Sequence, residues 1–196
     1  TLRRAGATDH TFAALIEGDA AFELAGFTDV GAFLAATDES RMDALDAAVA
    51  IDTAVPLSSA DYAPLVLNPA KIYCIGLNYR NHIAEVGKKE PEFPTVFTKF
   101  ASSLTGANDD IEIPAEDHRI DWEGELAIVI GTKGRRIAES EAANHIAGYA
   151  VSNDVSMRGY QSRTAEWTQG KCWDAASPLG PWLVSADDFT PGAKIT

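Results

Sequence analysis

Cysteine is scarce in this chain. Its two copies, Cys74 and Cys172, lie far apart, which excludes a disulfide framework and a cysteine-built zinc cluster. A reducing, cytoplasmic setting is the simplest expectation. Long apolar runs are also missing: none approaches the length needed to cross a bilayer, and no signal peptide is visible at the start. Positive charge is in deficit, with 16 Lys and Arg against 29 Asp and Glu and a formal net charge of −13. That balance argues against nucleic acid or an anionic membrane as partner, and it suits a site that binds a cation. What is present is ordinary globular material, 46% apolar and 23% charged over 196 residues. This is enough for one domain, or for a small domain plus part of a larger one. The chain opens at Thr1 rather than Met, so the natural protein is expected to begin earlier.

The stretch around which the rest is organised is Asp121-Trp122-Glu123-Gly124-Glu125-Leu126-Ala127-Ile128-Val129-Ile130-Gly131. The apolar, β-branched run after Glu125 predicts a buried strand. Side chains alternate across a strand, so Glu123 and Glu125 share a face. Two carboxylates side by side where a core strand begins repel each other and lose hydration. A cation between them removes both problems. The other reading is a solvated strand end with two surface glutamates, and Glu-x-Glu alone does not separate the two.

Ahead of that stretch, residues 11–16 and 20–24 flank Glu17-Gly18-Asp19 as a hairpin. Thr28 or Asp29 is placed to cap a short helix, and Asp38 or Ser40 a second one with Met42, Leu45, Ala48 and Val49 on its apolar face. The prolines and serines of residues 55–69 suit a linker. Residues 71–76 predict a strand, followed by a helical turn that puts His82 and Glu85 together at i and i+3. A carboxylate beside an imidazole fixes its tautomer and raises its basicity; a surface pair without function is the competing reading. Residues 86–95 are turn-rich and placed to close over a ligand. A strand at 96–100 and a short one at 111–114 come next, with His118 in an exposed loop.

Beyond the central stretch, residues 131–136 form a basic, solvated turn and residues 139–146 predict a helix. The strand 147–153 delivers Asp154 at its end, where the carboxylate either serves a site or caps the following helix. Arg158 and Gln161 follow at i+4 and i+7. Lys171 falls in a loop, where a lysine ordinarily faces solvent, and a strand follows at 183–184.

Taken in order, these pieces resemble the fumarylacetoacetate hydrolase family, in particular its acylpyruvate-cleaving members. The resemblance runs from about Lys71 to Val184. It rests on Gly76-Leu77-Asn78-Tyr79 with His82 and Glu85, on Asp121-Trp122-Glu123-Gly124-Glu125-Leu126, on Asn153-Asp154-Val155-Ser156-Met157-Arg158 with Gln161, and on Gly170-Lys171 with Asp174 and Pro178-Leu179-Gly180-Pro181. It implies an α+β fold, with a mixed, rolled β-sheet catalytic domain over residues 67–196 preceded by a small N-terminal α/β domain over residues 1–66. Members continue past this point, so the C-terminal part of the catalytic domain is expected to be absent here. The resemblance implies that Glu123, Glu125 and Asp154 hold Mg²⁺ or Mn²⁺, ions that hard carboxylate oxygens suit. It assigns water activation to His82 with Glu85, electrostatic support to Lys171, and substrate positioning to Arg158 and Gln161. A homodimer acting on a small 2-oxo or 1,3-diketo acid follows by the same resemblance.

The expected function is hydrolysis of a C–C bond in an acylpyruvate through an enolate. Decarboxylation of a 2-oxo acid such as oxaloacetate, or isomerisation or hydration of a dienoate, is the alternative on the same site. A non-catalytic metabolite-binding module is the alternative from another class.

Overall fold

The structure, a computed structural model, describes residues 1–49 and 54–192. It is a mixed α+β chain. Strand β1 (Leu2–Arg4) pairs antiparallel with β2 (Ala7–Phe12). Strands β3 (Ala14–Glu17) and β4 (Ala20–Glu23) form the expected hairpin around Gly18-Asp19. Gly18 takes φ 58° in the first turn position, which a side chain would disfavour and which a tight two-residue hairpin needs. Thr11 and Phe12 belong to β2 rather than to the hairpin, so its first strand is shorter than predicted.

Helices α1 (Val30–Ala35) and α2 (Asp38–Val49) follow, then β5 (Val55–Pro56), which pairs with β4. Asp29 caps α1 by accepting from the Ala32 N–H at 2.5 Å. For α2 the cap is Thr37, whose Oγ1 accepts from the Ser40 N–H, rather than Asp38 or Ser40. The buried side of α2 is Ala44 and Ala48, packed with Ala13 and Leu24, while Met42 and Val49 are exposed. Small alanines let the helix approach β4 closely, with Leu45 partly buried against the same cluster as expected and Met42 and Val49 left outside. The linker reading of residues 55–69 also gives way. Tyr62 is buried with Leu2, Phe12 and Ala21, and Leu65 is buried beside them in sequence. Burying a side chain such as Leu2 contributes about 1.5–3 kcal/mol.

In the second part of the chain β6 (Ile72–Gly76) and β7 (Thr95–Lys99) pair antiparallel and enclose helix α3 (Arg80–Glu85). The short β8 (Leu104–Thr105) runs parallel to β13 (Ser177–Pro178). The central stretch is not one strand. It breaks at Trp122-Glu123 into β9 (Ile120–Asp121), paired with β12 (Ser156–Met157), and β10 (Gly124–Ile130), paired with β11 (Ile146–Asn153). Strand β14 (Val184–Ser185) extends β11, and the short helices α4 (Arg158–Gln161) and α5 (Thr168–Lys171) lie between β12 and β13.

Strand β10 is covered on one face only, among the described residues. Ile128 and Ile130 are more than half exposed, whereas Ala150, opposite Ala127 on the face that carries Glu125, is buried. A run apolar on both faces was read as fully buried; one of its faces is open. A smaller expectation also fails: residues 111–114 form no strand. The helix expected over residues 139–146 is present, as a 3₁₀ helix over Glu139–His145.

The Asp29 carboxylate ties α1 to the rest of the chain, because its second oxygen accepts from the Leu67 N–H at 3.0 Å. Asp29→Ala removes both bonds from a buried position. It is expected to lower unfolding free energy by about 2 kcal/mol in urea titration; a loss below about 0.5 kcal/mol would sink the capping account.

Candidate metal centre

The break between β9 and β10 brings the acidic residues together. Glu123 sits in the break and Glu125 on the inner face of β10, while Asp154 follows the end of β11, the neighbouring strand. Two bonds fix the junction: the Asp154 N–H donates to the Glu123 carbonyl at 2.8 Å, and the Glu123 N–H to Asn153 Oδ1 at 2.9 Å. One carboxylate oxygen from each of Glu123, Glu125 and Asp154 lies within 4.8 Å of the others. The reading of the two glutamates as a solvated strand end is therefore set aside. So is the helix-cap reading of Asp154, whose carboxylate points to lysines instead.

Two ammonium groups hold this cluster. Lys171, 2% exposed at the end of α5, donates to Glu123 Oε2 at 2.7 Å and Asp154 Oδ2 at 2.8 Å. Lys99, buried at the end of β7, donates to Asp154 Oδ1 at 2.7 Å. The loop position expected for Lys171 is thus a short helix, and the side chain is buried, not solvated. Lys99 was missed by the sequence reading. A lysine closing an apolar strand suggests solvent, yet alternation puts it on the same face as Phe97, and that face is the inner one.

Arg158 opens α4 and reaches back to the same acids. Its Nε and NH2 donate to Asp121 Oδ2 at 3.0 and 2.7 Å, NH2 lies 2.7 Å from Glu123 Oε1, and NH1 donates to Gln161 Oε1 at 2.8 Å. Glu125 alone has no cation within 4 Å among the described residues. Burial, with Asp154 and Glu123 close by, pushes its pKa up to about 7.

Helix α3 brings His82 and Glu85 to the same cavity. The chain turns from β6 into that helix through Leu77 at φ 55°, a left-handed conformation unusual for leucine that redirects the backbone at once. His82 Nδ1 stands 3.6 Å from Glu85 Oε2, so the two share a helical face as expected without a direct hydrogen bond; His82 is half-buried and Glu85 exposed. They line a cavity of about 890 Å³ together with Glu123, Glu125, Arg158 and Lys171. Trp167 forms part of its apolar wall, edge-on to the Phe97 ring at 5.5 Å. Asp154 lies beneath the cavity floor, under Lys171.

Three carboxylates, one of them lacking a counter-charge among the described residues, form a donor set that fits a hard divalent cation. Both oxygens of Asp154 already accept from a lysine, so an ion held there would share that carboxylate with the ammonium groups.

Residues 71–196 match the family described as fumarylacetoacetate (FAA) hydrolase C-terminal. The chain belongs to the fumarylacetoacetate hydrolase family. Oxaloacetate tautomerase fahd2, mitochondrial, of Xenopus laevis is 48% identical over 124 residues, 62% of this chain and 39% of the relative. The human oxaloacetate tautomerase FAHD2A, mitochondrial, is 42% identical over 135 residues, 68% and 43% of the two chains. The chain therefore spans less than half the length of these curated relatives. Among solved structures, the fumarylacetoacetate hydrolase of Exiguobacterium antarcticum superposes with TM-score 0.76 at 28% identity, covering 97% of this chain and 67% of that one. The 2-hydroxyhepta-2,4-diene-1,7-dioate isomerase of Mycobacterium marinum does so with TM-score 0.66 at 28% identity, covering 92% and 62%. Membership is as the four motifs implied, but these relatives bear tautomerase and isomerase names as well as hydrolase ones.

The raised pKa of Glu125 has a consequence for the metal-free protein. Its carboxyl ordinarily titrates at 4.5, and the folded chain holds the proton after the unfolded chain has released it. Stability linked to this proton is full below about 4.5 and is lost as pH rises toward about 7. Thermal melts of the chelator-treated protein should show wild type losing stability across that window relative to Glu125→Gln. Parallel curves for the two proteins would contradict the assignment.

Proposed function

We propose that the protein is a divalent-metal-dependent enzyme that moves a proton between carbon and oxygen in a small 2-oxo acid, with oxaloacetate as the leading substrate. The observation that carries this reading is the convergence of Glu123, Glu125 and Asp154 within 4.8 Å beside the buried Lys171. The tautomerase names of the Xenopus and human relatives support the substrate class. The site is proposed as Glu123, Glu125 and Asp154 for the metal, His82, Glu85 and Lys171 for catalysis, and Arg158 and Gln161 for the substrate.

Mg²⁺ or Mn²⁺ held by the three carboxylates would polarise the 2-oxo group and favour loss of a proton from the neighbouring carbon. Lys171 adds a fixed positive charge beside the place where negative charge grows, in a buried setting where it counts for more than in water. His82, with Glu85 on its helical face, takes the carbon-bound proton and returns a proton to the product. The Arg158 fork matches a carboxylate; to meet one it gives up part of its contact with Asp121 or Glu123. Residues 86–95, from which Val86 and Lys88 already line the cavity, close over the bound acid. The same reading keeps residues 1–66 as a small N-terminal domain and residues 67–196 as part of a rolled-sheet catalytic domain. It also keeps a homodimer, a cytoplasmic location, and no nucleic-acid or membrane partner.

Hydrolysis of an acylpyruvate C–C bond is the second reading, favoured by the His82–Glu85 pair on the cavity wall, since attack by water needs a base. The two are separated by assaying full-length protein on enol-oxaloacetate and on fumarylpyruvate with Mg²⁺ or Mn²⁺. The proposal expects metal-dependent ketonisation of oxaloacetate, lowered about 10²-fold or more in both His82→Ala and Lys171→Met. Cleavage of fumarylpyruvate without turnover of oxaloacetate would restore hydrolysis as the main activity. Metal-dependent binding of both acids without turnover of either would leave a metabolite-binding module.

A further inference from the structure

We infer that Asp117 is a positioning residue of this site, acting through the backbone of α4 to hold Arg158 and Gln161 against the acidic cluster. Asp117 lies in a polar loop between the exposed Glu116 and His118, yet it is itself buried, 6% exposed. A carboxylate taken out of water requires donors in exchange. It finds them on the backbone: the Arg119 N–H at 2.9 Å, the Gly159 N–H at 2.6 Å and the Tyr160 N–H at 3.2 Å. These bonds hold its carboxyl below the usual carboxylate range, the Arg119 N–H contributing most.

Helix α4 is a single turn and does not sustain itself. Met157, which precedes it, offers no side-chain cap. Asp117 supplies that cap from 42 residues earlier in the chain than Gly159. The close approach requires glycine, because a Cβ at Gly159 would stand 2.5–2.7 Å from the Asp117 carboxylate atoms. The same two segments are joined on their other side by the β9–β12 pairing and by the Arg158 N–H donating to the Arg119 carbonyl at 2.8 Å. Together these fix where α4 starts and how it is rotated, and its rotation sets where the Arg158 fork and the Gln161 amide point. Asp117 does not line the cavity.

The inference rests on the reading that Arg158 meets an anionic substrate. Full-length protein and the variants Asp117→Asn, Asp117→Ala and Gly159→Ala are compared by three measurements. These are Mn²⁺ affinity, affinity of the Mn²⁺-loaded protein for oxalate, and the NMR resonance of the Arg158 Nε–H in metal-free protein. Asp117→Ala and Gly159→Ala should each weaken oxalate binding by about tenfold or more, with Mn²⁺ affinity held within about threefold. Asp117→Asn, which keeps one acceptor oxygen, should recover much of the loss. Adding Arg158→Ala to Asp117→Ala should cost little beyond Arg158→Ala alone, since both act through one contact. Should Asp117→Ala fail to fold, Asp117→Asn and Gly159→Ala carry the test. Unchanged oxalate affinity in the folded variants, or lowered thermal stability as their sole effect, would overturn the inference. If wild type binds no oxalate, the proposed function fails, and the Arg158 resonance decides: movement in the variants supports the positioning role, and a fixed resonance overturns it.

Discussion

The structure turns on the attraction between two buried ammonium groups and the carboxylates they hold. Lys171 bridges Glu123 and Asp154, and Lys99 takes the remaining oxygen of Asp154. The four residues come from β7, the break before β10, the end of β11 and α5, so this one network joins four separate segments of the second part of the chain. Removing one partner of such a buried pair typically costs about 3–5 kcal/mol, because the other charge is left without compensation. The network therefore fixes the architecture first, and any chemistry is built on its outer side.

That outer side is electrostatically incomplete. Glu123, Glu125 and Lys171 face the cavity, while Asp154 and Lys99 lie under it. Arg158 and the two lysines satisfy Asp121, Glu123 and Asp154, but Glu125 has no counter-ion among the described residues and holds its proton near neutrality. One further cation, held by Glu123, Glu125 and Asp154, would fill the deficit. Lys171 would then share Asp154 with that ion, leaving more of its charge for an oxygen on which negative charge develops. Metal binding and the readiness of Lys171 are in this account one event. Lys99 has no such freedom, since it reaches Asp154 from inside the core.

The Glu-x-Glu pair, the aspartate ending an apolar strand and the His-x-x-Glu helix were legible in the sequence because spacing alone places them: strand alternation for the first, strand end for the second, helical periodicity for the third. The Gly18 hairpin and the Asp29 cap were legible for the same local reason. What was not legible depends on contacts between distant segments. Lys99 looked like a solvent-facing strand end, and only its shared face with Phe97 hinted otherwise. Asp117 carries no local signal, because its partners are backbone N–H groups of a distant turn. The strand β10 was read as buried on both sides because its composition is apolar throughout; composition does not say which face has a neighbour. The four ordered motifs identified the family but not the reaction, since hydrolysis, decarboxylation and tautomerisation of 2-oxo acids draw on the same carboxylates.

The central claim is that the three carboxylates are a metal centre that presents its ion to an enolate-like ligand. Calorimetric titration of Mn²⁺ into full-length protein, with and without oxalate, tests it most directly. The account predicts saturable one-site binding that tightens in the presence of oxalate and is lost in Glu125→Ala. Absence of binding in both conditions, or equal binding by the variant, would contradict it and return the carboxylates to a structural role.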